Sequence, residues 1–193
     1  MLKPKEAYGN EAILKLFPKP DYSHISDNIV IGDAMWISFD DIFIDDEEGN
    51  IARADGQDPA HVEDLKRSFS AGVLINEELG AVIKQPAGSP KPYKLVYGYG
   101  RTLSLMELGL KGWAYNEIEG TQTEIEDVQS SENEPKAPKK VNQEKDIIRL
   151  KSRQVKEGRL SNNEDVIMAN LKKTYPRKYK PSLARIAAGI FED

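Results

Sequence analysis

The chain has 193 residues, of which 39% are hydrophobic and 31% are charged, and its formal net charge is −5. This composition is typical of a globular protein, and the length fits one ordinary domain with an appendage or two small domains. Cysteine is absent and there are two histidines, which excludes disulfides, thiol nucleophiles, iron–sulfur clusters, cysteine-ligated zinc and multi-histidine metal sites.

The sequence pattern predicts neither a membrane span nor a secretion signal. No apolar run approaches the roughly 20 residues that a membrane helix needs. The opening residues MLKPKEAYGN mix charged and polar residues where a signal peptide has an apolar core. We therefore expect a cytoplasmic protein with no membrane partner.

Charge is unevenly distributed along the chain. Residues 141–193 contain 12 lysines and arginines against 7 aspartates and glutamates, a formal charge of +5. Residues 1–140 contain 15 against 25, a formal charge of −10. Opposite charges indicate two units with different partners, and the basic unit is the one that suits a nucleic-acid backbone. Ordinary fluctuation of surface charge is the alternative interpretation.

In chain order, residues 1–33 form an N-terminal extension and residues 34–120 have the pattern of an α+β domain. A helix is predicted to begin at Asp58-Pro59 and to end near Gly72, because an N-cap, an N1 proline and a C′ glycine bracket an apolar stripe. Alternating or clustered aromatic and β-branched residues predict strands. These strands cover 34–39, 80–85, 92–98 and about 113–120, and a second short helix covers 101–109.

Residues 121–146 are predicted to be a flexible linker. The segment has almost no large apolar residue and is rich in Glu, Ser, Asn, Gln and Lys, so it cannot bury enough surface to offset its ordering entropy. Residues 147–193 are predicted to be a small basic helical unit, with helices over about 143–157, 162–174 and 182–191.

The stretch YKLVYGYGRTLSLMELG, residues 93–109, is the most informative one for function. A predicted strand runs into Gly98-Tyr99-Gly100-Arg101 and then directly into a helix. Glycines at such a turn let backbone N–H groups approach an anion, and an arginine adds a planar donor fork. This chemistry suits a phosphate group. The alternative is a tight turn whose arginine pairs with an acidic neighbour.

The order of these segments resembles the N-terminal domain of the ParB/sulfiredoxin-like superfamily over residues 34–119. The matching segments, in order, are AMWISFDDI, Asn50-Ile51-Ala52-Arg53, VEDLKRSFSAG, GAVIK, YKLVYGYGR and LSLMELG. Gly98 and Arg101 match the ends of the family's Gly-Glu-Arg-Arg-like box, whereas Tyr99 and Gly100 replace its acidic and basic middle residues. Sulfiredoxin itself is excluded, because its cysteine is missing.

The resemblance implies a domain that handles nucleotide or nucleic-acid phosphates, on a compact mixed sheet with short helices. Its members include DNA-partition proteins that bind and hydrolyse CTP, ParB-like nucleases, and phage or plasmid proteins. About 50 helical residues follow the predicted linker, which fits a small phage- or mobile-element-type relative, in the host cytoplasm, better than a partition clamp. Because about 50 residues are marginal for independent folding, we expect the helical unit to pack either on the first domain or, in a homodimer, on a second copy of itself.

Five residues are predicted to bind nucleotide or phosphate. They are Arg53, Gly98, Gly100, Arg101 and Thr102. In the family, the arginine that matches Arg53 lies near the nucleotide pocket, which would pair it with Arg101 across a phosphate. Alternatively, Arg53 is a surface arginine that balances the acidic run Asp45–Glu48. That run lacks the spacing of a calcium loop, and we predict no metal site formed by the chain itself. Mg²⁺ or Mn²⁺ would accompany a bound nucleotide.

Residues 172–180 are predicted to contact nucleic acid. The segment contains five basic residues and two tyrosines in nine positions. Lysine and arginine neutralise phosphates, and tyrosines stack on unpaired bases. The predicted contact residues are Lys172, Lys173, Tyr175, Arg177, Lys178, Tyr179 and Lys180. A basic, solvated connection between helices is the alternative.

The sequence supports three functions. The first is a ParB-like DNA-associated protein that binds a phosphate at the glycine turn and DNA through residues 172–180. The second is an enzyme of the same fold, a metal-dependent nuclease or nucleotide hydrolase, whose catalytic residues the sequence does not identify. The third is an inhibitor that binds a protein partner through the acidic first unit.

Overall fold

The computed structural model divides the chain into two units. The residues that the structure describes are 3–44, 58–73, 79–133 and 140–192. Among them, the first unit comprises residues 3–21, 30–44, 58–73 and 79–119, and the second comprises residues 22–29, 120–133 and 140–192. The last residue of the first unit is Glu119.

The first unit contains a five-stranded mixed sheet with helices, so the predicted α+β fold class is confirmed. Its elements are α1 Pro4–Ala7, α2 Glu11–Leu14, β1 Val30–Ser38, a 3₁₀-helical turn Phe39–Asp41, β2 Ile42–Phe43, α3 Pro59–Ser70, β3 Gly80–Lys84, β4 Tyr93–Tyr97, α4 Tyr99–Glu107 and β5 Gly112–Glu119. The strand order is β1-β5-β3-β4-β2. The pairs β1/β5 and β3/β4 are antiparallel, and β3/β5 and β2/β4 are parallel.

Helix α3 begins and ends where its sequence signals predict. The Asp58 side chain accepts a hydrogen bond from the N–H of Ala60, and Pro59 occupies the first turn. The C-terminal glycine, Gly72, has φ +84°, the left-handed conformation that ends a helix. The buried face of α3 consists of Val62, Leu65 and Phe69, as their spacing predicts.

The core of the first unit joins α3 and α4 to the sheet. The Ser104 hydroxyl on α4 donates a hydrogen bond to the carbonyl of Val62 on α3, over 3.1 Å. On the surface, Lys66 Nζ of α3 lies 2.8 Å from Glu107 Oε2 of α4. The buried core side chains are Ala7, Ile13, Ile37, Phe39, Ile42, Leu65, Phe69, Leu79, Val82, Leu95, Tyr99, Leu105, Leu110, Trp113, Ala114 and Tyr115. These contacts fix α4, and with it the turn that precedes α4, against the rest of the unit.

The second unit is helical. Its helices are α5 Gln122–Asn133, α6 Lys140–Lys156, α7 Glu164–Thr174 and α8 Lys180–Glu192. The last three agree with the predicted helices within a few residues, and Asn163 caps α7 by accepting a hydrogen bond from the N–H of Val166. An apolar core joins them, consisting of Ile147, Leu160, Ile167, Leu171, Tyr175, Leu183, Ile186, Ala187 and Ile190.

The prediction of a flexible linker over residues 121–146 is wrong where the structure describes that segment. Helix α5 occupies residues 122–133, and α6 begins at Lys140; residues 134–139 lie outside the described ones. The local composition misleads because most of the side chains that α5 buries are polar. Glu126 and Asp127 are 5% and 3% exposed, and their pairing with basic groups on later residues replaces the missing apolar surface.

Two neighbouring carboxylates on α5 organise this polar interior. Asp127 Oδ1 accepts hydrogen bonds from Lys151 Nζ, over 2.7 Å, and from Gln154 Nε2, over 3.0 Å. Glu126 accepts from Arg153 over 2.9 Å and from Arg159 over 2.8 Å. The Lys151 side chain is completely buried, and burial lowers its pKa, which the charge and hydrogen bond of Asp127 only partly offset. A buried lysine at this position therefore depends on its carboxylate.

Substitution of Lys151 by Met should destabilise the second unit strongly. The change removes one partner of a buried ion pair and leaves Asp127 uncompensated, which costs about 3–5 kcal/mol. The measurement is urea unfolding followed by far-ultraviolet circular dichroism. The matched control is Lys145→Met, at an exposed position of the same helix, which should change the free energy of unfolding by about 0.5 kcal/mol or less. Equal effects of the two variants would contradict the structural importance of this pair.

Substitution of Glu126 by Gln should make the stability less sensitive to acid. Burial raises the pKa of Glu126, but hydrogen bonds led by that from Arg159 outweigh it, so the pKa lies below the ordinary 4.5. Such a carboxyl stabilises the fold at pH values above the unfolded-state pKa, and this stabilisation is lost as the pH falls through the folded-state pKa. Below about pH 4.5, the free energy of unfolding should therefore fall less steeply in the variant than in the wild type. Urea unfolding at a series of pH values measures this, with the exposed Glu164→Gln as control; parallel slopes would refute it.

Candidate functional site

The predicted strand-to-helix turn is present, and Gly98 is its pivot. Strand β4 ends at Tyr97, Gly98 is the N-cap residue with φ +96° and ψ +21°, and α4 begins at Tyr99. A Cβ atom on Gly98 would lie 3.0 Å from the Cα of Gly80 on the neighbouring strand β3. Both the left-handed conformation and this close approach require glycine. The turn is thus set by backbone packing between two glycines.

The start of α4 has the chemistry of an anion-binding site. The N–H of Thr102 donates to the carbonyl of Gly98 over 2.9 Å, which closes the first helical turn. The N–H groups of Tyr99, Gly100 and Arg101 precede that bond and point along the helix axis toward its N-terminus, where the helix dipole favours negative charge. Residues 98–102 contain no carboxylate. Gly98 and Arg101 are partly exposed, whereas Gly100 is buried.

The positive charge of Arg101 affects the pKa of a buried tyrosine, Tyr115. Burial raises the pKa of the Tyr115 hydroxyl far above its ordinary value, although a hydrogen bond with Thr102 and the positive charge of Arg101 both oppose this shift. Tyr115 therefore remains a neutral phenol at physiological pH. The buried ring therefore adds no negative charge beside the turn, where such a charge would repel a phosphate.

Thr102 is buried, whereas the neighbouring Arg101 is partly exposed. Its side chain is 1% exposed, and its hydroxyl lies 2.7 Å from the hydroxyl of Tyr115. The prediction that Thr102 binds phosphate gains no support from its hydroxyl, because this group is buried and already hydrogen bonded. Arg53, the fifth predicted phosphate-binding residue, lies outside the described residues, and so does the acidic run Asp45–Glu48.

In the second unit, most of the predicted basic segment lies on the surface. Lys172 and Lys173 occupy the last turn of α7, and Lys180 begins α8. These three residues and Arg177 are exposed. Tyr179 is 77% exposed. Four exposed cations and a protruding aromatic ring thus lie within nine consecutive residues.

The other two predicted contact residues serve the fold at least in part. Tyr175 is completely buried, and its hydroxyl lies 2.6 Å from that of Ser130 on α5. The expectation that Tyr175 stacks on a base is therefore corrected: its ring belongs to the core. Lys178 is partly buried, and its Nζ donates to Gln143 Oε1 over 2.8 Å. Together, Tyr175 and Lys178 anchor the connection between α7 and α8.

Two residues beside the turn were not anticipated from the sequence, namely Gly80 and Tyr115. The pattern of β5 shows an alternating strand, but it does not reveal which strand residue faces α4. For Tyr175, a signal does exist: Ile167, Leu171 and Tyr175 recur every four residues, which continues the buried face of α7.

Within the part of the chain that the structure describes, there is no group of three or more His, Asp or Glu side chains that could hold a metal ion. The same part contains no helix that is both long and apolar enough to cross a membrane.

No protein-family model matches the sequence, and no curated protein matches it. The fold is nevertheless similar to solved structures. One is a pNOB8-like ParB N-domain, with a TM-score of 0.55 and 12% identity over 83% of this chain and 65% of that one. Another structure of a pNOB8-like ParB N-domain gives 0.51 and 14%, over 86% and 64%. The chain thus spans slightly less than two thirds of these two structures.

The fold is also similar to the C-terminally truncated chromosome-partitioning protein ParB from Caulobacter crescentus, solved in complex with CTP-γ-S. That comparison gives a TM-score of 0.44 and 17% identity over 81% of this chain and 77% of that one. From the sheet, the strand-to-helix turn and the two pNOB8-like structures, we conclude that the chain has a ParB-like fold.

Proposed function

We propose that this chain is a ParB-like protein that binds the phosphate groups of a nucleotide, or of nucleic acid, at the turn Gly98–Arg101. We further propose that it contacts DNA through the exposed basic residues of the segment 172–180. Both parts of the proposal rest on the ParB-like fold and on the chemistry of the described residues.

The observation that carries the phosphate proposal is the left-handed Gly98 at the start of α4. It lets α4 begin directly after β4, so the unbonded N–H groups of the first turn lie at the end of that strand, and Arg101 belongs to the same turn. Backbone N–H groups, a helix dipole and an arginine form a recurrent combination for binding phosphate oxygens. The absence of a carboxylate from residues 98–102 removes a source of repulsion.

The DNA proposal rests on the exposed cations of the second unit. Lys172, Lys173, Arg177 and Lys180 lie in the last turn of α7, the connection that follows it and the first turn of α8. Each cation that neutralises a phosphate releases condensed counterions, which drives binding at low salt. Because Tyr175 and Lys178 hold the connection against the core, the cations are presented on a fixed support.

A divalent cation would accompany a nucleotide rather than occupy a separate protein site. Because residues 98–102 supply no carboxylate, the oxygen ligands of Mg²⁺ or Mn²⁺ would come mainly from the phosphate groups and from water. Arg101 would then donate hydrogen bonds to the phosphate oxygens that do not coordinate the ion.

Substitution of Arg101 by Ala should weaken nucleotide binding at least about tenfold, because a charge-assisted hydrogen bond to phosphate is lost. The measurement is isothermal titration calorimetry with ATP, CTP, GTP and UTP in the presence of Mg²⁺. The matched control is Arg67→Ala, which removes an arginine with a 74% exposed side chain from α3 of the same unit. Unchanged affinity in Arg101→Ala, or no nucleotide binding by the wild type, would refute the phosphate site as a nucleotide site.

The triple substitution Lys172→Ala, Lys173→Ala and Arg177→Ala should weaken DNA binding and reduce its salt dependence. Loss of three phosphate contacts should lower the slope of log K against log salt by about 2–3. Fluorescence anisotropy with a labelled duplex at a series of salt concentrations measures this, with Lys145→Ala as an exposed control. An unchanged slope would exclude this segment as the DNA contact.

The same preparations distinguish binding from cleavage. Supercoiled plasmid incubated with Mg²⁺ or Mn²⁺ should remain intact if the chain is a binding protein. Nicking that requires the metal and disappears in Arg101→Ala would instead make it a nuclease whose phosphate site is this turn. If the wild type binds no nucleotide and, at low salt, neither cleaves DNA nor changes its electrophoretic mobility, a protein partner becomes the next hypothesis.

A further inference from the structure

The buried hydroxyl pair beneath the turn has no ligand-contacting role in the proposed function. Tyr115 lies in β5 and is 1% exposed, and its hydroxyl is hydrogen bonded to that of Thr102 in α4. The pair joins the sheet to the helix whose first turn faces the proposed phosphate. This location makes it a candidate for control of the site's geometry.

Tyr115 also contacts Gly80, the β3 residue against which the turn packs. It lies in register with Gly80 of β3 across a parallel strand pair. A Cβ atom on Gly80 would lie 3.1 Å from a ring carbon of Tyr115, and the Cα of Gly80 in turn lies against Gly98. The Tyr115 ring therefore supports the contact between Gly80 and Gly98. Its hydroxyl is hydrogen bonded to Thr102, which lies four residues after Gly98.

These two contacts together determine where the helix end lies. Gly98 and Thr102 are the two ends of the hydrogen bond that closes the first turn of α4. Tyr115 is hydrogen bonded to Thr102 and reaches Gly98 only through Gly80, and these two contacts restrict movement of the N–H groups of the turn relative to the sheet. Binding through several converging donors weakens when these donors lose their fixed positions.

We propose that Tyr115 is a positioning residue of the phosphate site, acting through Thr102 and through Gly80. This inference rests on the proposed function, because it assigns a role within the same site. The ligand chemistry is a phosphate group held by backbone N–H groups and by Arg101. Tyr115 touches no part of that ligand.

The test compares Tyr115→Phe, Thr102→Val and the double variant. The first substitution keeps the ring and removes the hydroxyl, and the second keeps the shape of the side chain and removes its hydroxyl. The probes are inorganic tripolyphosphate and the four ribonucleoside triphosphates, titrated calorimetrically at a temperature where circular dichroism shows each variant to be folded. Each single variant should weaken binding about twofold to tenfold, because the effect on binding is at most the net contribution of the one internal hydrogen bond that is removed.

The double variant supplies a readout that a general loss of stability does not. Because both substitutions remove the same hydrogen bond, the double variant should bind no more weakly than either single variant. The control is Asn116→Ala, which removes a partly buried hydrogen bond of the neighbouring residue of β5, donated by Asn116 Nδ2 to the carbonyl of Gly32. This control should lower the thermal midpoint and leave the affinity for tripolyphosphate unchanged.

The outcomes distinguish a failure of the role inferred for Tyr115 from a failure of the proposed phosphate site. If Arg101→Ala weakens binding but Tyr115→Phe weakens it no more than Asn116→Ala does, Tyr115 has a purely structural role and the inference is overturned. Additive effects of Tyr115→Phe and Thr102→Val on the affinity would overturn it as well. If Arg101→Ala leaves the affinity unchanged, the proposed function itself fails, and the positioning role fails with it.

Discussion

The contact between Gly80 and Gly98 determines the geometry of the first unit at the point where function is proposed. Neither residue has room for a Cβ atom: one on Gly80 would lie 2.8 Å from the carbonyl oxygen of Tyr97, and one on Gly98 would lie 3.0 Å from the Cα of Gly80. Strands β3 and β4 can therefore lie close together at this end of the sheet, and α4 can begin immediately after β4. Without that approach, the first helical turn would lie further from the sheet, and the hydroxyl of Tyr115 would not reach Thr102.

The second unit uses a different physical solution. Its three later helices share an apolar core, whereas α5 is joined to them largely through paired charges and hydrogen bonds. Such contacts are directional, because a carboxylate accepts only from donors placed along its lone pairs. Burial of the α5 carboxylates without these partners would destabilise the unit. The pairing therefore fixes the position of α5 against the later helices. Specific pairing thus replaces the apolar surface that α5 lacks.

The sequence predicted the first unit well because its signals are local. Asp58-Pro59 and Gly72 mark the ends of α3, and the glycines at 98 and 100 mark the passage from strand to helix. What it missed depends on contacts between distant residues. Asp127 and Lys151 are 24 positions apart, and nothing in the composition around either residue shows that they meet. The polar character of 121–133 therefore indicated a linker when it actually reflected a paired interior.

The same distinction separates the residues predicted for binding. Tyr175 and Tyr179 have almost the same basic surroundings in the sequence, yet one is buried and the other is 77% exposed. Composition groups them together, whereas the four-residue spacing from Leu171 places only Tyr175 on the inner face of α7. Thr102 shows a similar limit, since its position in the turn suggested a ligand contact while its side chain faces β5.

The positions of the aromatic side chains have a practical consequence for the study of the two units. Both tryptophans of the chain, Trp36 and Trp113, lie in the first unit, where their rings meet edge to face with centroids 5.4 Å apart. Indole emission therefore originates in the first unit, because the helical unit contains no tryptophan. Selective excitation of tryptophan thus follows the first unit by its intrinsic fluorescence, with no dye or fusion partner attached.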